Sequence, residues 1–311
     1  MSKYRNHLPQ LDGDLFLTYV GMETDLIFNQ GVNLPSFASY PLLESPQGRA
    51  QITSYLQAMI DLAQNAKTGV ILETPTWVAN RDRGAALGYS PETLKALNID
   101  SVTLMLDARK AYGDVPTVIS ANLGPRADAY APAEQMSAQD AEVYHSEQIS
   151  VFAETDVDML NGYTIAYPQE ATGMVLAAKR FSMPIAISFT VETDGRLPTG
   201  CSLADAITSV DLATDSYASY FMINCAHPDH FAGTLSDDPW MARLKGIVAN
   251  ASRCSHAELD EAEALDAGDP AELGEQLAQI YKAFPNISIL GGCCGTDMRH
   301  MISIANAAHS G

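Results

Sequence analysis

The chain has 311 residues, 47% hydrophobic and 18% charged, with 38 acidic side chains against 18 basic ones and a formal net charge of −20. This is a globular composition, long enough to bury one large core, so a disordered chain is excluded. A field of this sign repels phosphate backbones and anionic lipid, which removes nucleic acid and membrane surfaces from the expected partners.

In chain order, the polar start at 1–11 carries no apolar signal core, and no later run reaches the roughly 20 apolar residues of a membrane span. A cytoplasmic location is therefore expected. Short apolar runs then alternate with helical patterns. Strands are predicted at 16–21, 69–73, 117–122, 157–160, 184–191, 220–224, 246–250 and 287–290. They are rich in Val, Ile, Leu, Phe and Tyr and mostly lack strict alternation, as expected of parallel strands buried on both faces. The stretch 49–66 places Ile52, Leu56, Met59, Ile60 and Ala63 near one helical face. Similar patterns occupy 138–154, with Ser137 as its N-cap, 169–181, 202–214 and 270–284. The segment 90–112, with Pro91 after Ser90, reads as a longer insertion between the second and third strands. Eight strands alternating with helices predict an α/β chain folded as a (β/α)₈ TIM barrel, a single domain over 1–311 with its core at about 16–305. An open doubly wound sheet is the alternative, and no Gly-rich dinucleotide fingerprint follows the first strand to support it.

Five cysteines do not make a disulfide framework. Three of them stand where chemistry is expected. Cys225 closes the sixth predicted strand, and Cys293 and Cys294 close the eighth. The C-terminal rim of a barrel is where active sites sit, and these two strands are near neighbours around it. Three thiolates suit Zn²⁺ and leave a fourth tetrahedral position open, the mark of a catalytic site. An exogenous thiol taken up there loses its proton and remains nucleophilic. A lone buried cysteine is most often a small hydrophobe, and Cys201 and Cys254 are read that way. For the rim cysteines, their position and the glycines Gly291, Gly292 and Gly295 argue for metal. His227 and His230 lie within metal-binding spacing of Cys225, but a histidine ligand would close the open position, so a supporting role is expected.

The string Gly291-Gly292-Cys293-Cys294-Gly295-Thr296, followed by His300, resembles the C-terminal signature of the homocysteine S-methyltransferase family. Asn224-Cys225 resembles its upstream Asn-Cys element. Gly21-Met22-Glu23-Thr24-Asp25-Leu26 partly resembles its Gly-rich opening, Thr74-Pro75-Thr76-Trp77 its element after the second strand, and Gly124-Pro125 its element after the third. The resemblance implies a barrel that binds zinc through three cysteines and methylates the thiol of homocysteine to give methionine. Known donors in the family are S-methylmethionine, S-adenosylmethionine, betaine, and methyltetrahydrofolate acting through cobalamin. This length leaves no room for folate or cobalamin domains, so a small onium donor is expected. In the family, two acidic residues help hold the amino group of homocysteine; here Tyr19 and Tyr163 occupy those positions. Glu23 and Glu73 lie nearby and can substitute, or the acceptor is a different thiol. A non-catalytic zinc-binding relative, closed by a fourth ligand such as His227, is a further alternative.

The expected site therefore comprises Cys225, Cys293 and Cys294 around Zn²⁺. Tyr19, Gly21, Glu23, Thr76, Trp77, Tyr163, Asn224 and Thr296 are expected to contact a small thiol acceptor and an onium donor. Aromatic faces attract onium cations, and Tyr167 is a further candidate for such a cage. No protein partner is indicated beyond a possible homo-oligomer.

Overall fold

Eight short parallel strands close on themselves in sequence order: β1 (Phe16–Thr18), β2 (Gly69–Glu73), β3 (Thr117–Leu123), β4 (Met159–Ile165), β5 (Ile185–Thr190), β6 (Tyr220–Asn224), β7 (Leu244–Ala249) and β8 (Ile289–Gly292). Closure is made by β1, whose Leu17 pairs with Val70 of β2 on one side and Leu290 of β8 on the other. This computed structural model describes residues 2–309.

Side chains alternate between two environments with the period of two that a strand dictates. Leu17, Val70, Leu72 and Ile119 pack outward into the core shared with the helices, whereas Phe16, Ile71, Val118, Met159, Tyr220 and Ile289 fill the barrel interior. The outer layer comprises α1 (Pro46–Ala66), α2 (Pro91–Ala111), α3 (Ala138–Ala153), α4 (Pro168–Arg180), α5 (Leu203–Thr214), α6 (Pro270–Ala283) and α7 (Met298–His309). The expected N-cap Ser137 accepts from Asp140 N–H, and Ser90 caps its helix in the same way, accepting from Thr93 N–H. The chain between β6 and β7 has no long helix and is carried by short turns such as Pro228–Phe231.

Four expectations change. β1 ends at Thr18 instead of 21, because Tyr19 turns out of the strand at φ 44°. The segment expected as an insertion at 90–112 is α2, the crossover helix between β2 and β3; the addition is the short helix Arg81–Ala86 before it. β4 runs to Ile165 instead of ending at 160, so Tyr163 lies inside the strand. Its second half, Asn161-Gly162-Tyr163-Thr164, is buried but polar, which hides it from a reading based on apolar runs. β8 likewise extends through Gly291 and Gly292, residues of low strand propensity.

The N-terminal end of the barrel is closed by the start of the chain. Backbone N–H groups of Lys3 and Tyr4 donate to Asp158 Oδ1 at 2.8 Å, and Ile119 N–H donates to Oδ2 at 2.9 Å. Arg109 completes the set at 2.5 Å from Oδ2, with Asp158 fully buried. Arg5 donates to the carbonyls of Thr155 and Val157, and Ser288 Oγ to that of Gln10. No helix among the described residues is long and apolar enough to cross a membrane.

Candidate metal and substrate site

Left-handed residues occur at both ends of the barrel, and at the C-terminal end they fall on residues that line one cavity. Tyr19 after β1, Thr164 near the end of β4 and Cys225 after β6 have φ of 44°, 63° and 53°. Left-handed backbone in non-glycine residues is held only where surroundings impose it, and it clusters at functional sites. β7 provides the anchor between β6 and β8. Its Val248 carbonyl accepts from Cys225 N–H at 3.1 Å, and its Ala249 carbonyl accepts from Cys293 N–H at 2.7 Å. Cys294 C=O is fixed by Ala251 N–H at 3.0 Å. The chain turns out of β8 through Gly295 at φ 79°, where a side chain would be strained. Gly21 is required for a different reason, since a Cβ there would run into the carbonyl oxygens of Cys293 and Thr296. Gly291 and Gly292 face Thr18 and the Thr296 side chain, so they serve β-strand packing and not the approach to a metal.

The sulfurs of Cys225, Cys293 and Cys294 all lie within 4.8 Å of one another, and no other group of three or more His, Cys, Asp or Glu ligand atoms converges in this way among the described residues. Tetrahedral zinc with bonds of ~2.3 Å sets its sulfurs about 3.8 Å apart, so this donor set fits the ion in chemistry and spacing. Crowding alone couples the thiols. Hydrogen bonds from Cys293 and Cys294 pull the Cys225 thiol down. The same bonds to Cys225 push Cys293 and Cys294 up. Three sulfurs that resist ionising together are relieved by a soft dication.

The sulfurs sit at the base of a cavity of about 180 Å³. Of the residues expected from sequence, Tyr19, Gly21, Glu23, Trp77, Tyr163, Asn224 and the three cysteines line it. Thr76 does not. It is fully buried, bonded to Thr74 Oγ1 and donating to Asn122 C=O. Thr296 is also committed elsewhere: its hydroxyl donates to Cys293 C=O at 2.6 Å and accepts from Gly21 N–H at 3.0 Å, which joins the ends of β8 and β1. Asn224 touches the cavity, but its amide holds Thr164, accepting from its N–H at 2.9 Å and donating to its Oγ1 at 2.8 Å. Tyr167 lies off the wall, with its hydroxyl accepting from Met136 N–H.

Three carboxylates line the wall, Asp260, Asp266 and Glu23, and Glu23 is the one bonded to Tyr19. It accepts from the Tyr19 hydroxyl and from Ser39 Oγ at 2.8 Å, and burial raises it above the ordinary glutamate range. Glu73 is buried and absent from the wall, and accepts from Asn161 Nδ2 at 3.2 Å. Tyr19 and Tyr163 face each other with ring centroids 5.9 Å apart, and burial keeps both phenols neutral. Trp77 Nε1–H donates to Tyr163 C=O at 3.2 Å, and the Arg83 guanidinium lies 5.2 Å from the Trp77 ring.

The candidate histidines are occupied. His227 caps the turn at Pro228, accepting from Asp229 N–H, and burial lowers it to about 4. His230 Nε2 bonds the Arg253 carbonyl. His300 lies in the first turn of α7 and reaches Ala267 C=O. Among the wall residues that sequence reasoning missed are Asn122, Tyr130, Thr164, Asn250, Ser252, His256, Asp260 and Asp266. Asn122 and Asn250 end predicted strands, a signal that alone could have found them. Tyr130 and His256 come from loops and carry no such mark.

The profile of the homocysteine S-methyltransferase family matches residues 21–308. The chain belongs to that family. It is thus a methyltransferase, and the non-catalytic alternative falls. In fold it is similar to the homocysteine methyltransferase MmuM from Escherichia coli. The metallated form aligns with a TM-score of 0.69 at 19% identity, covering 94% of this chain and 96% of that one. The oxidized form gives 0.71 at 19% over the same shares, and the apo form 0.64 at 17%, covering 95% and 96%. No curated protein sequence gives a match.

Proposed function

We propose that this methyltransferase moves a methyl group from a small onium donor to the thiol of homocysteine, with Cys225, Cys293 and Cys294 holding Zn²⁺. The observation that carries the reading is the convergence of three sulfurs at the base of a cavity on the C-terminal face of the barrel. Zinc, when bound, favours the deprotonated acceptor thiol and leaves it nucleophilic. In the transfer, the acceptor sulfur forms a bond to the methyl carbon while the donor's carbon–heteroatom bond breaks. The electron pair stays with the departing sulfide or amine, which leaves neutral, so no acid is needed at the leaving group.

The chain's own part is orientation. Glu23 offers a carboxylate to the ammonium of homocysteine, in place of the acids the family carries where Tyr19 and Tyr163 stand here. The Tyr19 hydroxyl and Ser39 aim that carboxylate. Asn122 and Asn250 line the same cavity, and each has a buried Oδ1 without a hydrogen-bond partner. Tyr19 and Tyr163 present paired aromatic faces to an onium cation. Trp77 contributes less than expected, because Arg83 already lies over its ring.

Glu23→Gln tests the reading. A charge-assisted hydrogen bond to the substrate amine supports an increase in KM for homocysteine of roughly 10- to 100-fold on its loss. A four-carbon thiol acid without the amino group should react equally with both proteins. Equal KM for homocysteine in native and variant would remove Glu23 from the role. Faster reaction of the des-amino thiol with the native protein would favour the different-acceptor reading.

A further inference from the structure

Cys225 differs from its two partners in how it is aimed. Cys293 and Cys294 are adjacent on the turn out of β8, whereas Cys225 comes alone from β6 and meets them from a left-handed backbone conformation. Val248 secures its N–H. Its C=O is secured from a different quarter of the rim by His256, whose Nε2 lies 2.6 Å from that oxygen.

His256 is buried in the loop after β7, where it follows the N-cap Ser255. Its Nδ1 lies 3.0 Å from Oε1 of Glu192, two residues beyond the end of β5. The Tyr130 ring stacks on it at 4.0 Å between centroids and 26° between planes. A carbonyl can only accept, so Nε2 carries a hydrogen, and one further proton lies between Nδ1 and the Glu192 carboxyl. Whichever of those two atoms holds it, Nε2–H stays on Cys225. Both ring nitrogens are thereby committed, so His256 is not itself a ligand.

We infer that His256 and Glu192 are a positioning pair that holds Cys225 in its left-handed conformation and so aims the third sulfur at Cys293 and Cys294. Loops after β5, β6 and β7 are tied together by this pair, and Tyr130 fixes the plane of its ring. The inference rests on the three-cysteine metal reading and adds a pair that acts on the metal only through Cys225. Oriented partners of this kind are commonly worth about 10- to 100-fold in metal affinity.

Cobalt(II) titration of the metal-free protein separates the possibilities, because thiolate-to-cobalt charge-transfer bands report how many sulfurs bind and the visible bands report geometry. His256→Ala should keep the native far-ultraviolet circular dichroism, bind cobalt about 10- to 100-fold more weakly, and show weakened charge transfer. His256→Gln, whose side-chain amide can donate to the same carbonyl, should recover most of both signals. Glu192→Gln, at a half-buried position, should give a smaller loss and guards against a failure of His256→Ala to fold. Native cobalt affinity and spectrum in a folded His256→Ala, or in Glu192→Gln if the former does not fold, overturns the positioning role. No cobalt uptake by the native protein is a separate result, which overturns the metal reading and this inference with it.

Discussion

The two ends of the barrel treat a buried carboxyl in opposite ways. At the N-terminal end, Asp158 is met by three backbone N–H groups and Arg109. Towards the C-terminal end, Glu73 closes β2 with one Asn161 amide on Oε1, while Oε2 has no hydrogen-bond partner. Burial raises Glu73 to about 7. The acid at the first end has both oxygens answered, whereas the acid at the other leaves one oxygen unanswered. The difference separates the part of the molecule that holds the fold from the part that is open to ligand.

Removing the paired acid should have the larger effect on stability. Asp158→Ala strands Arg109 and the N–H groups of Lys3, Tyr4 and Ile119, and is expected to cost about 3–5 kcal/mol in urea unfolding, with activity per folded molecule unchanged. A cost below about 1 kcal/mol would mean that the plug is ornamental and the comparison fails. Glu73→Gln should act in the other direction. A carboxyl with a folded-state value of about 7, against the usual 4.5, keeps its proton in the folded chain over a window where the unfolded chain has lost it. Stability therefore falls as pH rises from about 4.5 to about 7, and the neutral glutamine removes that slope. The variant should match the native protein near pH 4 and exceed it by up to about 3 kcal/mol at pH 8. Parallel stability profiles for the two proteins would show that Glu73 titrates as in water.

The same contrast explains what the sequence made legible. Strands β2 and β6 match their predicted bounds because their residues are apolar and buried on both faces. β4 and β8 are misplaced where polar residues and glycines continue the strand into the site. Ser137 and Ser90 announce their helices through capping, which is local chemistry. The three cysteines were readable because each closes a strand. Thr76 and Thr296 were assigned to substrate from their motifs, yet their hydroxyls are spent on backbone carbonyls. Nothing local could reveal that. His256 and Tyr130 were invisible for the complementary reason. Their importance comes from contacts with Cys225 and Glu192 that are made only when the loops after β3, β5, β6 and β7 meet.

The central claim is that the three thiols hold a catalytic zinc. Its most direct test measures zinc content and methionine formation together, in the native protein and in Cys294→Ser, with homocysteine and S-methylmethionine, S-adenosylmethionine, betaine or dimethylsulfoniopropionate as donor. The account predicts about one zinc per chain, methionine from at least one donor, and loss of both in a variant that still folds. Methionine formed at the native rate by zinc-free Cys294→Ser would contradict it.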